Sequence, residues 1–251
     1  MQMSGSKIAF CFLIYDGINQ EELWNHFFTG IDPNRYSIYI HYKTNAPLKY
    51  FETYKLDNCI DTKWADISLV QAQNLLLARA IQDAANAHFV FLSGACVPLK
   101  SFDQVARSLD ADYSYFNLAP KSACATRSEM ALNFIDDRYI QKAAQWCILN
   151  RKHTALLLDN TEYLQWFAVV PDEHCYITML FYKGLQDELI MTPNLERGAT
   201  TFTNWSGRRS NPKTYYSISD EELRSLYQSK SLFGRKFATE CKLKSLSEIS
   251  A

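Results

Sequence analysis

Three sets of residues in this chain have the types and spacing to do chemistry. The first is Pro171, Asp172, Glu173 and His174. A proline that opens a helix puts both carboxylates in the first turn, beside the positive end of the helix dipole. A carboxylate kept ionised there suits a general base. Acidic residues at a helix start serve more often as plain dipole partners, and spacing alone does not separate the two roles. The second set is Asp110 and Asp112. Two close carboxylates can hold a divalent cation against a nucleotide diphosphate. This pair stands between a short helix and a strand rather than just after a buried strand, so it reads as a solvated turn. The third set is basic. Residues 197–251 hold ten Lys/Arg (Arg197, Arg208, Arg209, Lys213, Arg224, Lys230, Arg235, Lys236, Lys242, Lys244) and five acids. That stretch is +5, and it leaves 16 basic against 22 acidic residues, −6, over the first 196. Cations interleaved with Trp205, Tyr215, Tyr216 and Phe233 can neutralise a phosphate or simply form a solvated face.

No dinucleotide-binding glycine loop, Walker A loop, HExxH or GxSxG occurs. A kinase of the phosphate-loop type is thereby excluded. The net charge of −1 argues against a nucleic-acid partner. With 47% apolar residues at that near-zero charge, the chain is also not a disordered one. The seven cysteines are odd in number and widely spaced, without a C-x-x-C, which fits neither a disulfide framework nor a zinc site. They read as buried, reduced thiols of a cytoplasmic protein. The chain starts with no signal peptide, and no apolar stretch reaches the length of a membrane span.

The elements that must position these residues are legible from hydrophobic pattern. Residues 8–15 form a continuous apolar run bounded by Asp16 and Gly17, as a fully buried strand does. A helix over 19–28 follows, with Asn19 as its cap, and then a strand over 36–42. Ser68 is expected to cap a long helix reaching residue 86. A buried strand over 89–92, a short helix over 100–109 and a strand over 113–118 complete the first half. Hydrophobic strands alternating with helices imply an α/β fold with a mostly parallel sheet covered on both faces. Ligands of such sheets bind beyond the carboxyl ends of the strands. The second half is less regular: a strand over 146–149, a helix from 151, a helix over 171–184, a strand or loop over 200–205, and a helix over 219–227 opened by a Ser219/Glu222 capping box. No linker or repeat interrupts the chain. The expected organisation is a flexible N-terminus (1–6), one catalytic domain (7–240) and a tail (241–251).

Six ordered blocks resemble glycosyltransferase family 14, the core-2/I-branching N-acetylglucosaminyltransferases and peptide xylosyltransferases. They are YSIYIH at 36–41; Trp64 followed by SLVQA at 68–72; FLSGACVPL at 91–99; QWCIL at 145–149; PDE at 171–173; and LFGRKF at 232–237. The resemblance implies a GT-A type fold, with a nucleotide-binding half (7–120) and an acceptor half (121–240). It implies an inverting, metal-independent transfer of a sugar, N-acetylglucosamine first among the donors, from a UDP-sugar to the hydroxyl of a glycan, glycoprotein or other acceptor. UDP-sugar is then a substrate, and no cofactor is expected. Glu173 maps to the general base. Lys236 and Lys213, with Arg235 as the alternative, map to the diphosphate-binding cations. Uridine is expected near Leu13, Ile14, Tyr15 and His41. The sugars are expected near Ser93, Gly94, Trp146, Asp172 and Trp205. The other reading is a sugar-nucleotide or glycan-binding protein of the same fold without catalysis.

Overall fold

The structure, a computed structural model, describes residues 7–124, 129–193, 200–206 and 211–244. The expected flexible N-terminus, Arg197, Arg208 and Arg209, and most of the expected tail lie outside them.

The apolar run becomes strand β1 (Lys7–Ile14), and its alternation divides the core. Ala9, Cys11 and Leu13 face one side, while Ile8, Phe10, Phe12 and Ile14 face the other. A strand buried on both faces must lie mid-sheet, and β1 does. It pairs in parallel with β2 (Tyr36–Tyr42) and with β3 (Asn86–Ser93). The six-stranded sheet continues through β6 (Ile148–Asn150) and β5 (Ser114–Leu118) to β7 (Leu189–Pro193), in the order β2-β1-β3-β6-β5-β7. β6 runs antiparallel to both its neighbours, so the sheet is mixed and mostly parallel. Helices cover both faces. On one side α2 (Ser68–Ala80), α4 (Arg151–Asp159) and α5 (Cys175–Tyr182) close the larger core. On the other, α1 (Glu21–Phe28) and α3 (Phe102–Ser108) sit over Phe10, whose ring meets Trp24, Phe27 and Phe28 edge-on. A three-stranded sheet, β4 (Val97–Pro98), β9 (Phe233–Arg235) and β8 (Thr201–Thr203), joins at the carboxyl end of β3. Helix α6 (Asp220–Gln228) packs beneath it with Leu223 and Leu226.

The local expectations are corrected at several ends. Asn19 is not the cap of α1. Its amide instead donates to the Phe237 carbonyl (2.7 Å), and Gln20 donates to the carbonyls of Ala238 (2.7 Å) and Cys241 (3.0 Å). The helix start is thus tied to the C-terminal segment rather than to its own backbone. Ser68 is the first helical residue, and Asp66 Oδ1 accepts from its N–H and hydroxyl. Helix α2 ends at Ala80, and Asn86 already belongs to β3. Ser101 makes a full capping box with Gln104. Ser219 accepts from the Glu222 N–H, but the Glu222 carboxylate accepts from the Tyr215 hydroxyl (2.8 Å) instead of closing the box. The expected helix over 171–184 divides: Pro171–Glu173 is a 3-10 turn, and the α-helix starts at Cys175.

All seven cysteines are free, and all but Cys59 are buried. Burial pushes the Cys11 and Cys147 thiols far above the usual value, which keeps them unreactive. No helix among the described residues is long and apolar enough to cross a membrane.

Candidate active site

The site forms where β1, β2 and β3 end. Gly94 lies where the loops after β1 and β3 meet. A Cβ added there would run into the Gly17 carbonyl oxygen, and the Asn19 N–H donates to the Gly94 carbonyl (2.8 Å) across the same contact. Only glycine lets the loops after β1 and β3 approach so closely. Tyr15, the first residue past β1, is 64% exposed, and Lys43 lies over its ring at 5.6 Å. Leu13 and Ile14 are buried in the strand, paired with its neighbours, and the Ile14 carbonyl accepts from the Lys43 N–H (3.1 Å).

His41 pairs with Leu13 across the β2–β1 ladder and is fully buried. Its Nε2 accepts from the Ile60 N–H (2.9 Å), and burial pushes its pKa down to about 4. The ring is therefore neutral, and its work in this structure is to hold the loop after β2. Ser93, at the end of β3, contacts the Cys96 sulfur through both its N–H and its hydroxyl (3.2 Å each).

Glu173 enters from the second half. The Val170 N–H donates to the Ala65 carbonyl (3.1 Å), with both residues at positive φ (50° and 59°). That bond fixes the turn against the segment preceding α2. Such conformations are costly for a β-branched residue and cluster where function requires them. The Glu173 carboxylate is 27% exposed and meets Lys142 Nζ at 3.1 Å. Asp172 lies beside Cys175, whose thiol is raised first by burial and then by that carboxylate. His174 stacks on Phe167 at 4.9 Å, with Nδ1 on the Gln141 carbonyl (2.8 Å).

The cations come from the small sheet. Arg235 ends β9, and its guanidinium lies 4.6 Å above the indole of Trp146. Burial lowers its pKa, while Cys96 and Glu173 act electrostatically the other way, so the guanidinium lies within range of both. Lys236 is held below the usual lysine value by burial and then by the Arg235 charge. An ammonium so placed gains most by pairing with an incoming anion. The Tyr215–Phe237 bridge runs the segment around Lys213 alongside these two. Lys213 Nζ lies 4.3 Å over the Tyr215 ring and 3.9 Å from Glu222, half-exposed. Its side chain therefore faces α6 in this structure. Trp205, just past β8, is half-buried, and neighbouring Asn204 donates to the Tyr215 hydroxyl (2.7 Å).

Asp110 and Asp112 lie elsewhere. Asp110 Oδ1 accepts from the Asp112 N–H (3.0 Å), and the Asp110 carbonyl meets His88. His88 is five residues before the end of β3, roughly 16 Å along the strand at about 3.3 Å per residue, so the pair lies toward the opposite end of the strand.

A sequence profile for the Core-2/I-Branching enzyme family matches residues 8–227. The chain belongs to that family. The core-2/I-branching match covers Asp172, Glu173 and Lys213 and stops before Arg235 and Lys236. The glycosyltransferase BC10 of Oryza sativa subsp. japonica is 26% identical over 258 residues, which cover 86% of this chain and 63% of the rice protein. This family member thus spans less than two thirds of that relative. Its mixed sheet, helices on both faces and loops gathered at the strand ends form a GT-A-like architecture.

Lys142 carries no signal of its own in the sequence. It lies 31 residues from Glu173 with no regular spacing, so no helical or strand period connects the two.

Proposed function

We propose that the chain is an inverting glycosyltransferase in which Glu173 is the general base and fixed cations replace a metal ion at the diphosphate. The observation that carries this reading is the approach of the Glu173 turn to the end of β9. The Glu173 carboxylate, on the turn before α5, lies within electrostatic range of the Arg235 guanidinium at the end of β9. Direct displacement needs both a base and a cation. Glu173 takes the proton of an acceptor hydroxyl as its oxygen bonds to the anomeric carbon. The bond from that carbon to the diphosphate breaks on the opposite face, and the electron pair leaves with UDP. Arg235 and Lys236 stabilise the charge that develops there, with Lys213 joining on release from Glu222. The uridine lies over the ends of β1 and β2, near Tyr15 and the loop held by His41. Ser93 and Gly94 border the donor sugar, and Asp172, Trp146 and Trp205 border the sugars beyond it, with the half-buried Trp205 indole offering an apolar face to a pyranose ring.

The donor class is a UDP-sugar, with UDP-N-acetylglucosamine first and UDP-xylose and UDP-glucuronate next. The acceptor is a hydroxyl of a glycan, glycoprotein or related molecule. The test is a panel of UDP-sugars incubated with the purified protein in EDTA, reading UDP release with and without acceptor sugars. Release in EDTA is the expected result. Activity that needs added manganese and is lost in Asp110→Ala overturns the cation assignment. UDP binding without turnover of any donor favours a binding protein.

A further inference from the structure

The partner of Glu173 is itself held from three sides, which a chance ion pair would not need. Lys142 lies in the segment between Ile140 and β6. Its carbonyl accepts from the Ala119 N–H (2.8 Å), and the next two N–H groups donate to the carbonyls of Glu173 (2.9 Å) and Asn117 (2.8 Å). The preceding residue, Gln141, is tied to α5 by its N–H on the Thr178 hydroxyl (3.0 Å) and by its carbonyl on His174 Nδ1 (2.8 Å). The segment is thereby fastened to β5 on one side and to the Glu173 turn and α5 on the other. Lys142 carries its ammonium to Glu173 Oε2 at 3.1 Å, with 17% of its side chain exposed. A lysine on a free loop would lose entropy to hold that geometry. Here the backbone has already lost it.

The arrangement also gives the Glu173 carboxylate a close counter-charge that is not one of the diphosphate cations. Glu173 has a second cation within electrostatic range, Arg235, which lies over Trp146 at 4.6 Å. A carboxylate drawn fully onto Arg235 would leave the acceptor side and occupy the cation that a diphosphate needs. Lys142 gives it a counter-charge of its own at 3.1 Å.

We propose that Lys142 is a positioning residue for catalysis: it orients the Glu173 carboxylate toward the acceptor and keeps it off the diphosphate-binding Arg235. The inference rests on Glu173 being the general base. Misplacement of a reacting group by about 1 Å costs on the order of 100-fold in rate. Lys142→Met is therefore expected to lower kcat by about 100-fold, with the acceptor KM within about threefold. Lys142→Arg, which keeps a charge that can reach the carboxylate, should restore at least about a tenth of the wild-type rate. In a Glu173→Gln background, Lys142→Met should cost nothing further, because the group it positions is gone. A structural role would lower the rate in both backgrounds and would not be rescued by arginine. Wild-type kcat in Lys142→Met overturns the proposal, as does an undiminished cost in the Glu173→Gln background. Full activity of Glu173→Gln alone overturns the base assignment instead, so the two failures are distinguishable. Circular dichroism and a thermal melt of each variant establish that the fold is intact.

Discussion

The His41 ring makes acid a specific threat to this fold. It is fully buried on β2, it accepts from the Ile60 N–H through Nε2, and burial pushes its pKa from the usual 6.5 down to about 4. In the unfolded chain the same imidazole titrates normally. Below pH 6.5 the unfolded state therefore binds a proton that the native state refuses until pH 4. Native stability falls as pH drops through that window and is fully present above it. From those two values, the group contributes about 2.5 kcal/mol less at pH 4.5 than at pH 7. That is a large share of a typical total of about 5–15 kcal/mol. The perturbation is His41→Gln, whose side-chain oxygen can still accept from Ile60 but does not titrate. His88 and His153, also lowered by burial, are present in both proteins and cancel in the comparison. Urea unfolding followed by tryptophan fluorescence at pH 7 and pH 4.5 provides the two differences. The wild type should lose about 2.5 kcal/mol more than the variant between the two pH values. Equal losses would mean instead that His41 titrates alike folded and unfolded and adds nothing to the pH dependence.

Two further outcomes follow from the site. Gly94→Ala puts a methyl group against the Gly17 carbonyl, so the loops after β1 and β3 must part. A thermal melt should show a loss of about 1–3 kcal/mol, and a UDP titration should show weaker binding. Arg235→Met removes a charged donor from over Trp146. Such bonds are worth about 1.5–3 kcal/mol, so isothermal titration should show UDP affinity down by roughly 10- to 100-fold.

What the sequence revealed, and what it hid, follows the range of each interaction. The continuous run of β1 identified a strand buried on both faces, because burial there is a property of consecutive residues. The cap of α6 was legible at Ser219 for the same reason: donor and acceptor are three residues apart. Asn19 carried the residue type of a cap, yet the Phe237 carbonyl, 218 residues away, takes its amide. Ser68 yielded to Asp66 only two residues off, a competition that type alone does not decide. The antiparallel direction of β6 was hidden because three residues carry no directional signal. The same holds for the site. The PDE motif and the basic tail were visible as types, but the guanidinium over Trp146 spans 89 positions and the Lys142–Glu173 pair spans 31. Lys213 was readable as a basic residue of the tail, while its attachment to Glu222 needed the fold of α6.

In the proposed mechanism Glu173 removes the acceptor proton while the C-terminal cations hold the diphosphate. This mechanism is tested most directly by Glu173→Gln, assayed for sugar transfer and for UDP affinity on the same preparation. The amide keeps the shape of the carboxylate and removes its basicity. Transfer should fall by about 10²–10⁴-fold, with UDP affinity within about twofold of wild type. A fully active Glu173→Gln protein would contradict the account.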